Sequence, residues 1–226
     1  MKSAKVFANR AEDKVNNYLM CVYLSGKKAG VAYADISTGE CFVSEPDMNL
    51  LRTLISRVNP TELICNDAGR MTELIGNDIR TLSEQPASWF QYRNAKESLC
   101  GHFHLTQLTS LGLADRNTAV CAAGALLRYL HETQKNSLEH LRTLRYADNG
   151  RTMQLDPNTR RNLELTESLR GDHRKGTLLG LLDRTSTAMG GRLLRSWVEE
   201  PLLDPKEINS RLDAVEELTA NRVLGM

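Results

Sequence analysis

The chain has 226 residues, with 29 lysines and arginines against 28 aspartates and glutamates. This balance excludes a strong general attraction to phosphate or to an anionic membrane, so any contact with nucleic acid has to be local. The length suffices for two domains that each bury a core. The five cysteines have no CxxC spacing, and no apolar run approaches the roughly 18 residues of a membrane span. These features predict a soluble cytoplasmic protein with reduced thiols and no membrane partner.

The first elements in chain order are three short β-rich runs separated by turn sequences. Residues 16–24 and 30–36 flank the turn sequence SGKK, and a second turn, STGE, leads into residues 41–44. Strand-forming runs joined by such turns predict a three-stranded antiparallel meander.

Helices and further strands alternate after the meander. Apolar residues recur at helical spacing over residues 50–58, and Asn59-Pro60 ends that helix. ELIC at 62–65 reads as a buried strand, so the order predicts a mixed sheet covered by helices. The remaining predicted elements before residue 138 are a helix at 71–75, a strand at 79–82, and helices at 89–99 and 119–133.

A second, helical part of the chain is predicted after the turn sequence DNG at 148–150. Asp156-Pro157 and Asp204-Pro205 combine an N-cap acceptor with proline at the first helical position. From residue 156 onward we expect only helices, at 156–170, 187–199 and 205–220. The predicted fold class is therefore an α/β domain followed by an all-α segment.

Four carboxylates near predicted strand ends raise the sharpest enzymatic hypothesis. Asp35, Glu62, Asp67 and Asp78 could bind two divalent metals for phosphodiester hydrolysis. The interpretation that we favour is that Asp35 forms the turn into residues 37–40 and that Asp67 and Asp78 are ordinary turn residues. No spacing among these acids is diagnostic of a metal site.

Other common catalytic patterns have no support. His102 and His104 could make half of a zinc site, but no acid or cysteine completes a recognised spacing. P-loop, GxGxxG, HExxH and GxSxG motifs do not occur in the sequence. The residues therefore predict no catalytic site, metal site or cofactor in this chain.

The helical part has one feature that invites a functional interpretation and one that invites a structural one. Residues 142–195 carry a surplus of basic side chains, which can contact DNA phosphates without reading bases. The candidates for such contacts are Arg160, Arg161, Arg174 and Lys175, although we favour a solvated surface whose arginine stems cover apolar neighbours. Gly190-Gly191 lies inside a helical pattern, which predicts close approach of another helix or backbone.

Long ordered stretches of the sequence resemble bacterial MutS mismatch repair proteins. NNYL at 16–19, YADISTGE at 33–40 and NPTELI at 59–64 are similar to the connector domain of that family. LDPNTRRNLELTESLRG at 155–171, TLLGLLDRTSTAMGGRLLRSWVEEPL at 177–202 and INSRLDAVEEL at 208–218 are similar to the start of its core domain.

The resemblance implies an RNase H-like connector that is not catalytic despite its fold. In the family, the connector joins the mismatch-reading domain to the core, helps communicate the nucleotide state and offers a docking surface for MutL. We expect that surface around Lys96, Glu97 and Ser98. The competing interpretations are an RNase H-type nuclease and a sequence-independent DNA-backbone-binding module.

The resemblance also defines the expected domain limits. The mismatch-reading domain should precede residue 12, and the clamp, the distal core and the P-loop ATPase domain should follow residue 226, so we expect a fragment. The expected parts are a linker remnant at 1–11, a connector at 12–147 and an incomplete piece of the core at 148–226. The full-length parent would be a homodimer that binds mismatched double-stranded DNA, ATP and Mg, and associates with the bacterial nucleoid.

Incompleteness of the helical part has a physical consequence. Helices at 156–170, 187–199 and 205–220 would lack their usual partners and expose apolar faces. An exposed apolar patch of several hundred Å² is typical of an association site. The sequence therefore predicts self-association of this chain, or helices rearranged against the connector.

Overall fold

The structure is a computed structural model that describes residues 17–76, 81–133, 138, 141–147, 150–153, 155–169 and 176–220. The chain divides into two compact units, Met1–Asp148 and Asn149–Met226. The linker remnant predicted at 1–11 lies outside the described residues.

The first unit contains a six-stranded mixed sheet in the order β5-β4-β1-β2-β3-β6. Strands β1, β2 and β3 pair antiparallel, which confirms the predicted meander. Strand β4 pairs parallel to β1, β5 parallel to β4, and β6 parallel to β3. The strands are β1 (Tyr18–Ser25), β2 (Lys28–Asp35), β3 (Glu40–Ser44), β4 (Glu62–Cys65), β5 (Leu82–Glu84) and β6 (Thr143–Tyr146).

Two strands differ from the prediction. The strand expected at 79–82 is β5 at 82–84, and residues 77–80 lie outside the described part of the chain. Strand β6 had no predicted counterpart. It spans four residues, of which only Leu144 is buried, so its alternation is too short to stand out in the sequence.

The helices of the first unit follow the predicted order with different bounds. They are α1 (Met48–Val58), α2 (Ala68–Ile75), α3 (Tyr92–His102) and α4 (Asn117–Thr133), together with 3-10 turns at Ala87–Phe90 and Leu108–Leu111. The helix predicted at 89–99 is wrong at its start, because Gln91 is extended and separates the first 3-10 turn from α3. Asn59 ends α1 in the left-handed region, with φ of 46°.

The sheet has a buried apolar cluster on each face. Alternate residues of β1 separate the two, since Leu19 and Cys21 join one cluster whereas Met20 and Val22 join the other. The first cluster includes residues of α3 and α4, and the second includes residues of α1 and α2. Strands covered on both faces explain why the strand sequences are almost continuously apolar.

Glycine allows two close approaches of α4. A Cβ atom at Gly30 on β2 would lie 2.0 Å from the carbonyl oxygen of Thr118, at the start of α4. A Cβ atom at Gly124 would lie 2.4 Å from Cα of Ala95 on α3. The small residues of α4 thus let it pack closely against α3.

The helices in the described part of the second unit are α5 (Pro157–Asn162), α6 (Leu178–Leu182), α7 (Ala188–Glu199) and α8 (Pro205–Ala220). The helices predicted at 187–199 and 205–220 are confirmed. Asp156 caps α5 as predicted, because its side chain accepts hydrogen bonds from the backbone N–H groups of Asn158 and Thr159.

The helix predicted at 156–170 is wrong after Asn162, so this unit is not wholly helical. Glu164 adopts φ of 45°, and its carboxylate accepts a 2.7 Å hydrogen bond from the backbone N–H of Leu169. The carbonyls of Glu164 and Leu165 accept from the N–H groups of Leu178 and Leu179 instead of from the next helical turn. The loop thus satisfies its backbone by bonding to the start of α6.

Gly190 is not explained by the predicted approach of another helix. Its N–H donates to the hydroxyl of Thr187, the N-cap of α7, over 3.0 Å. A Cβ atom there would lie 3.1 Å from that hydroxyl and 3.5 Å from the side chain of Thr185. The crowding therefore comes from the residues that begin α7, and the prediction is wrong for this glycine.

Candidate interaction surfaces

Asp35, the strongest candidate for a metal-binding carboxylate, is a fully buried turn residue. Its Oδ1 accepts hydrogen bonds from the backbone N–H and the hydroxyl of Ser37, over 2.8 and 2.6 Å, and its Oδ2 accepts from the N–H of Asn17 over 3.1 Å. The backbone N–H of Gly39 donates to the Asp35 carbonyl. The predicted role in the turn that leads into β3 is confirmed.

The other acids also have structural partners. Glu62 is buried at the start of β4 and accepts a 2.6 Å hydrogen bond from the phenol of Tyr129 on α4. Asp67 is the N-cap of α2 and accepts from the N–H of Arg70. Asp78 lies outside the described residues.

The strand register keeps the two buried carboxylates apart. Asp35 pairs with Tyr18 of β1, and Glu62 pairs with the next residue, Leu19. Neighbouring residues of a strand point to opposite faces, so Asp35 belongs to the face covered by α1 and α2, whereas Glu62 points to α4. Such an arrangement does not let both carboxylates bind one metal. Among the described residues there is no cluster of three or more histidine, cysteine or acidic side chains that could hold an ion.

The histidines considered for a zinc half-site have separate environments. His102 Nε2 lies 2.9 Å from the carbonyl oxygen of Leu141, and a carbonyl can only accept, so this nitrogen carries the proton. His104 lies beyond α3 with φ of 53°. The ring of His102 contacts that of His131 on α4, with centroids 5.7 Å apart. Desolvation and this neighbouring ring lower the pKa of His131.

The five cysteines are free thiols, and all of them are buried except Cys100, which is half-buried. Burial raises the pKa of Cys41 to about 12 and that of Cys65 and Cys121 to about 11. Burial also raises the pKa of Cys21, with smaller contributions from Cys65 and Cys121. Thiols with such pKa values are protonated near neutrality and are weak nucleophiles.

The residues predicted to dock MutL lie together on α3. Lys96 and Glu97 are exposed, and Ser98 is half-buried beside the buried Leu99. Glu97 accepts from Arg93 over 3.2 Å, an exposed ion pair of a kind that contributes little stability. Together the three residues give α3 a polar surface in which Lys96 and Ser98 lie on opposite sides of the helix with Glu97 between them, and the docking itself stays a prediction.

A groove of about 340 Å³ adjoins this polar surface and was not predicted. It lies beside the close contact of α3 with α4, between Ala95 and Gly124. The only sequence signal for it is the run of small residues in α4, which indicates close helix packing without locating a depression. The lining residues are Trp89, Asn94, Ala95, Ser98, Gly124, Arg128, His131 and Glu132.

The basic residues of the helical part divide between buried and exposed positions. Arg160 is largely buried, with an Nη2 atom 3.7 Å from the carboxylate of Glu199, and Arg195 donates to the same carboxylate over 3.0 Å. Arg161 is exposed on α5. Arg174 and Lys175 lie outside the described residues. The structure therefore joins Arg160 to α7 and leaves Arg161 accessible.

Most of the large apolar side chains described in the second unit are exposed and form its apolar surface. Within its described residues, Leu179 is the only large apolar side chain that is buried, and α8 has no buried residue. On α7 the exposed fraction of Met189 is 78%. The apolar side chains of α8 that are exposed are Ile208, Leu212, Val215 and Leu218.

A helix with the length and apolarity needed to cross a bilayer is absent from the part of the chain that the structure describes.

The chain matches known proteins in both units. The family model for MutS domain II matches residues 17–142, and that for MutS domain III matches residues 158–225. The DNA mismatch repair protein MutS of Alkaliphilus metalliredigens is 41% identical over 217 residues, which cover 92% of this chain and 25% of that protein. The protein of the same name from Dehalococcoides mccartyi is 42% identical over 208 residues, 92% of this chain and 24% of its own length.

A third relative, the MutS of Salinibacter ruber, is 39% identical over 219 residues, covering 93% of this chain and 24% of that protein. The chain thus spans about a quarter of the length of the curated relatives that it matches. Domain II covers most of the unit with the mixed sheet, and domain III covers most of the helical unit. The domain II model alone matches more than half of the sequence, and the chain belongs to the MutS family of DNA mismatch repair proteins.

Proposed function

We propose that this chain is a non-catalytic part of a mismatch repair protein that links mismatch recognition to the core and ATPase parts. Supporting this, the two matched domains follow each other in the family order. The buried polar side chains of the first unit stabilise turns and packing, as Asp35 and Glu62 illustrate. The assembled protein would be a homodimer that binds mismatched double-stranded DNA, ATP and Mg, associated with the nucleoid.

An RNase H-like architecture is part of this proposal. The antiparallel meander β1-β2-β3 followed by the parallel strands β4 and β5 supports it.

The competing nuclease function would need carboxylates that converge on one metal, and Asp35 and Glu62 belong to opposite faces. We expect no Mg²⁺- or Mn²⁺-dependent cleavage of duplex or RNA–DNA hybrid substrates. Cleavage that disappears in Asp35→Asn while the fold is retained would establish the nuclease.

The proposed partner surface for MutL is the polar face of α3 at Lys96, Glu97 and Ser98. It is accessible, and Leu99 anchors it to the core. The test is binding of MutL to the chain with the double charge reversal Lys96→Glu, Glu97→Lys. We expect at least a tenfold loss of affinity, or about 1.4 kcal/mol. The control is Arg52→Glu on α1, which is exposed and belongs to the other side of the sheet. Unchanged affinity of the double variant would refute the placement.

The second candidate function is contact with the DNA backbone through Arg161, together with Arg160, Arg174 and Lys175. The exposure of Arg161 favours it, whereas the ion pair of Arg160 with Glu199 holds the Arg160 side chain against α7. Such binding would weaken steeply with salt and show little sequence preference. Equal affinity of duplex DNA for the chain at low and high salt would refute this candidate.

Self-association through the second unit is a separate proposal, with a second copy of α8 as the occupant of the apolar surface. The first half of α8 carries Lys206 and Arg211, and its second half carries Asp213, Glu216 and Glu217. Glu207 in the first half forms an ion pair with Arg151. Two copies arranged antiparallel would therefore bring opposite charges together while their apolar side chains are buried.

A further inference from the structure

We propose that the groove between α3 and α4 receives one large uncharged side chain, aromatic or long aliphatic, from the partner protein that docks on α3. The proposal rests on the docking of MutL proposed above. It adds the chemistry that the partner has to present and the residues that receive it.

The groove adjoins the proposed docking surface through Ser98. This residue is half-buried, lines the groove and follows the exposed Lys96 and Glu97 in the same helix. A partner that covers Glu97 and Ser98 would therefore cover the mouth of the groove as well, whereas Lys96 lies on the other side of the helix from Ser98. Interfaces commonly place a buried anchor side chain within a polar rim.

The groove is walled by an aromatic ring and a guanidinium. Trp89 is 8% exposed, and the guanidinium carbon of Arg128 lies 4.8 Å from the centre of its ring. Trp and Arg are the residue types that most often dominate binding energy at protein interfaces. An apolar side chain that enters beside them would gain burial against the indole and the arginine stem.

The charges lining the groove cancel, which favours an uncharged occupant. Arg128 donates to Glu132 over 3.1 Å, so the pair carries no net charge. His131 is neutral near pH 7, because desolvation and the adjacent His102 lower its pKa. A charged side chain would lose its hydration on entering the groove. Neither charge that lines the groove could compensate for this loss, because Arg128 and Glu132 already pair with each other.

The size of the groove limits what can enter. Its volume of about 340 Å³ is near the lower end of the roughly 300–1,000 Å³ of small-molecule sites. The close contact of Ala95 with Gly124 prevents an incoming helix from lying between α3 and α4. The groove thus suits a single side chain that projects from the partner.

The test fills the groove and measures MutL binding. Ser98→Trp places a large ring at the groove, and Ser56→Trp places the same ring on exposed α1, on the other side of the sheet. We expect Ser98→Trp to weaken MutL binding at least tenfold and Ser56→Trp to leave it unchanged, with equal melting temperatures. Equal affinity of both variants for MutL would overturn the proposal.

A second measurement does not depend on how well Ser98→Trp folds. The chain has two tryptophans, Trp89 and Trp197, so Trp197→Phe leaves Trp89 as the only fluorescent indole. We expect its emission to shift or be quenched when MutL binds. Emission that stays constant through a saturating MutL titration would overturn the proposal. A change that follows the chain's own concentration without MutL would assign the groove to a second copy and overturn it too.

These outcomes separate the two proposals. If the α3 charge reversal weakens MutL binding while groove filling and Trp89 emission have no effect, the docking proposal stands and the groove proposal fails. If the chain does not bind MutL, both fail. If groove filling weakens binding and charge reversal does not, the groove is the site and the placement at Lys96 and Glu97 is wrong.

Discussion

The two units bury their apolar side chains to very different extents. In the first unit, apolar residues fill a cluster on each face of the sheet, and many of them are fully buried. In the second unit, Leu179 is the only large apolar residue buried within the described part, and all the exposed large apolar residues of the structure except Tyr92 belong to this unit. A layered sheet covers its own apolar surface, whereas the helices described in the second unit leave theirs exposed.

The largest effect should come from crowding the contact of β2 with α4. Gly30→Val would place Cβ 2.0 Å from the backbone oxygen of Thr118, and backbone cannot move aside as a side chain can. We expect the first unit to lose more than about 4 kcal/mol of stability or to fail to fold. Chemical denaturation followed by far-UV circular dichroism measures this. Gly26→Ala, in the open hairpin turn with φ of 58°, is the control and should cost only about 1 kcal/mol.

Matched leucine truncations compare the two units directly. Leu126 on α4 is 1% exposed, whereas Leu212 on α8 is 59% exposed. Leu126→Ala should cost about 2–5 kcal/mol, and Leu212→Ala should change the stability of the monomer by less than about 0.5 kcal/mol. Denaturant midpoints at low protein concentration provide the measurement. Similar losses for both variants would mean that the second unit has a core of its own.

The bond between Tyr129 and Glu62 should contribute less than a buried leucine. Tyr129→Phe removes the phenol that donates to the buried carboxylate over 2.6 Å. A hydrogen bond to a charged group contributes about 1.5–3 kcal/mol, and we expect a loss in that range. Tyr92→Phe, at an exposed position on α3, is the control and should be close to neutral. A Tyr129→Phe variant as stable as the wild type would show that this hydrogen bond does not stabilise the first unit.

The smallest effect concerns pH. Because the folded state lowers the pKa of His131, the unfolded chain takes up the proton first as pH falls below about 6.5. Protonation of this histidine therefore lowers the free energy of unfolding as pH falls from 7 towards 5. Above pH 7 the histidine does not change that free energy. His131→Gln should flatten that part of the stability curve. An unchanged slope between pH 7 and 5 in denaturant titrations would contradict this assignment.

The predicted bounds agree best with the structure where one local sequence signal determines the element. The strand at Glu62–Cys65 and the helix at Pro205–Ala220 have the predicted bounds, because an apolar run and a capping proline mark them. The predicted bounds of α5 are wrong, because no local sequence signal indicates that Glu164 adopts a left-handed conformation and that its carbonyl bonds to the start of α6. Strand β6 was not predicted, because its position depends on pairing with β3, which is distant in sequence.

The candidate surfaces were harder to predict than the elements, because they depend even more on tertiary structure. The turn role of Asp35 was predictable from the residues that follow it, and the hydrogen bonds from Ser37 confirm it. That Asp35 and Glu62 belong to opposite faces follows from strand register, which the sequence alone does not fix. The groove exists because Ala95 and Gly124 meet between helices that are distant in sequence. Only the packed structure places Trp89, Ser98 and Arg128 around it.

The most direct test of the difference between the units is sedimentation velocity over a wide range of protein concentration. We expect the average mass of the wild-type chain to rise with concentration, and we expect Leu212→Lys, which places a charge in the apolar face of α8, to shift the chain to monomer. Leu212 is exposed, so Leu212→Lys should leave the fold of the first unit intact, and circular dichroism would verify this. A wild-type chain that stays monomeric at every concentration, with the same profile as Leu212→Lys, would contradict the claim that the second unit is an association surface.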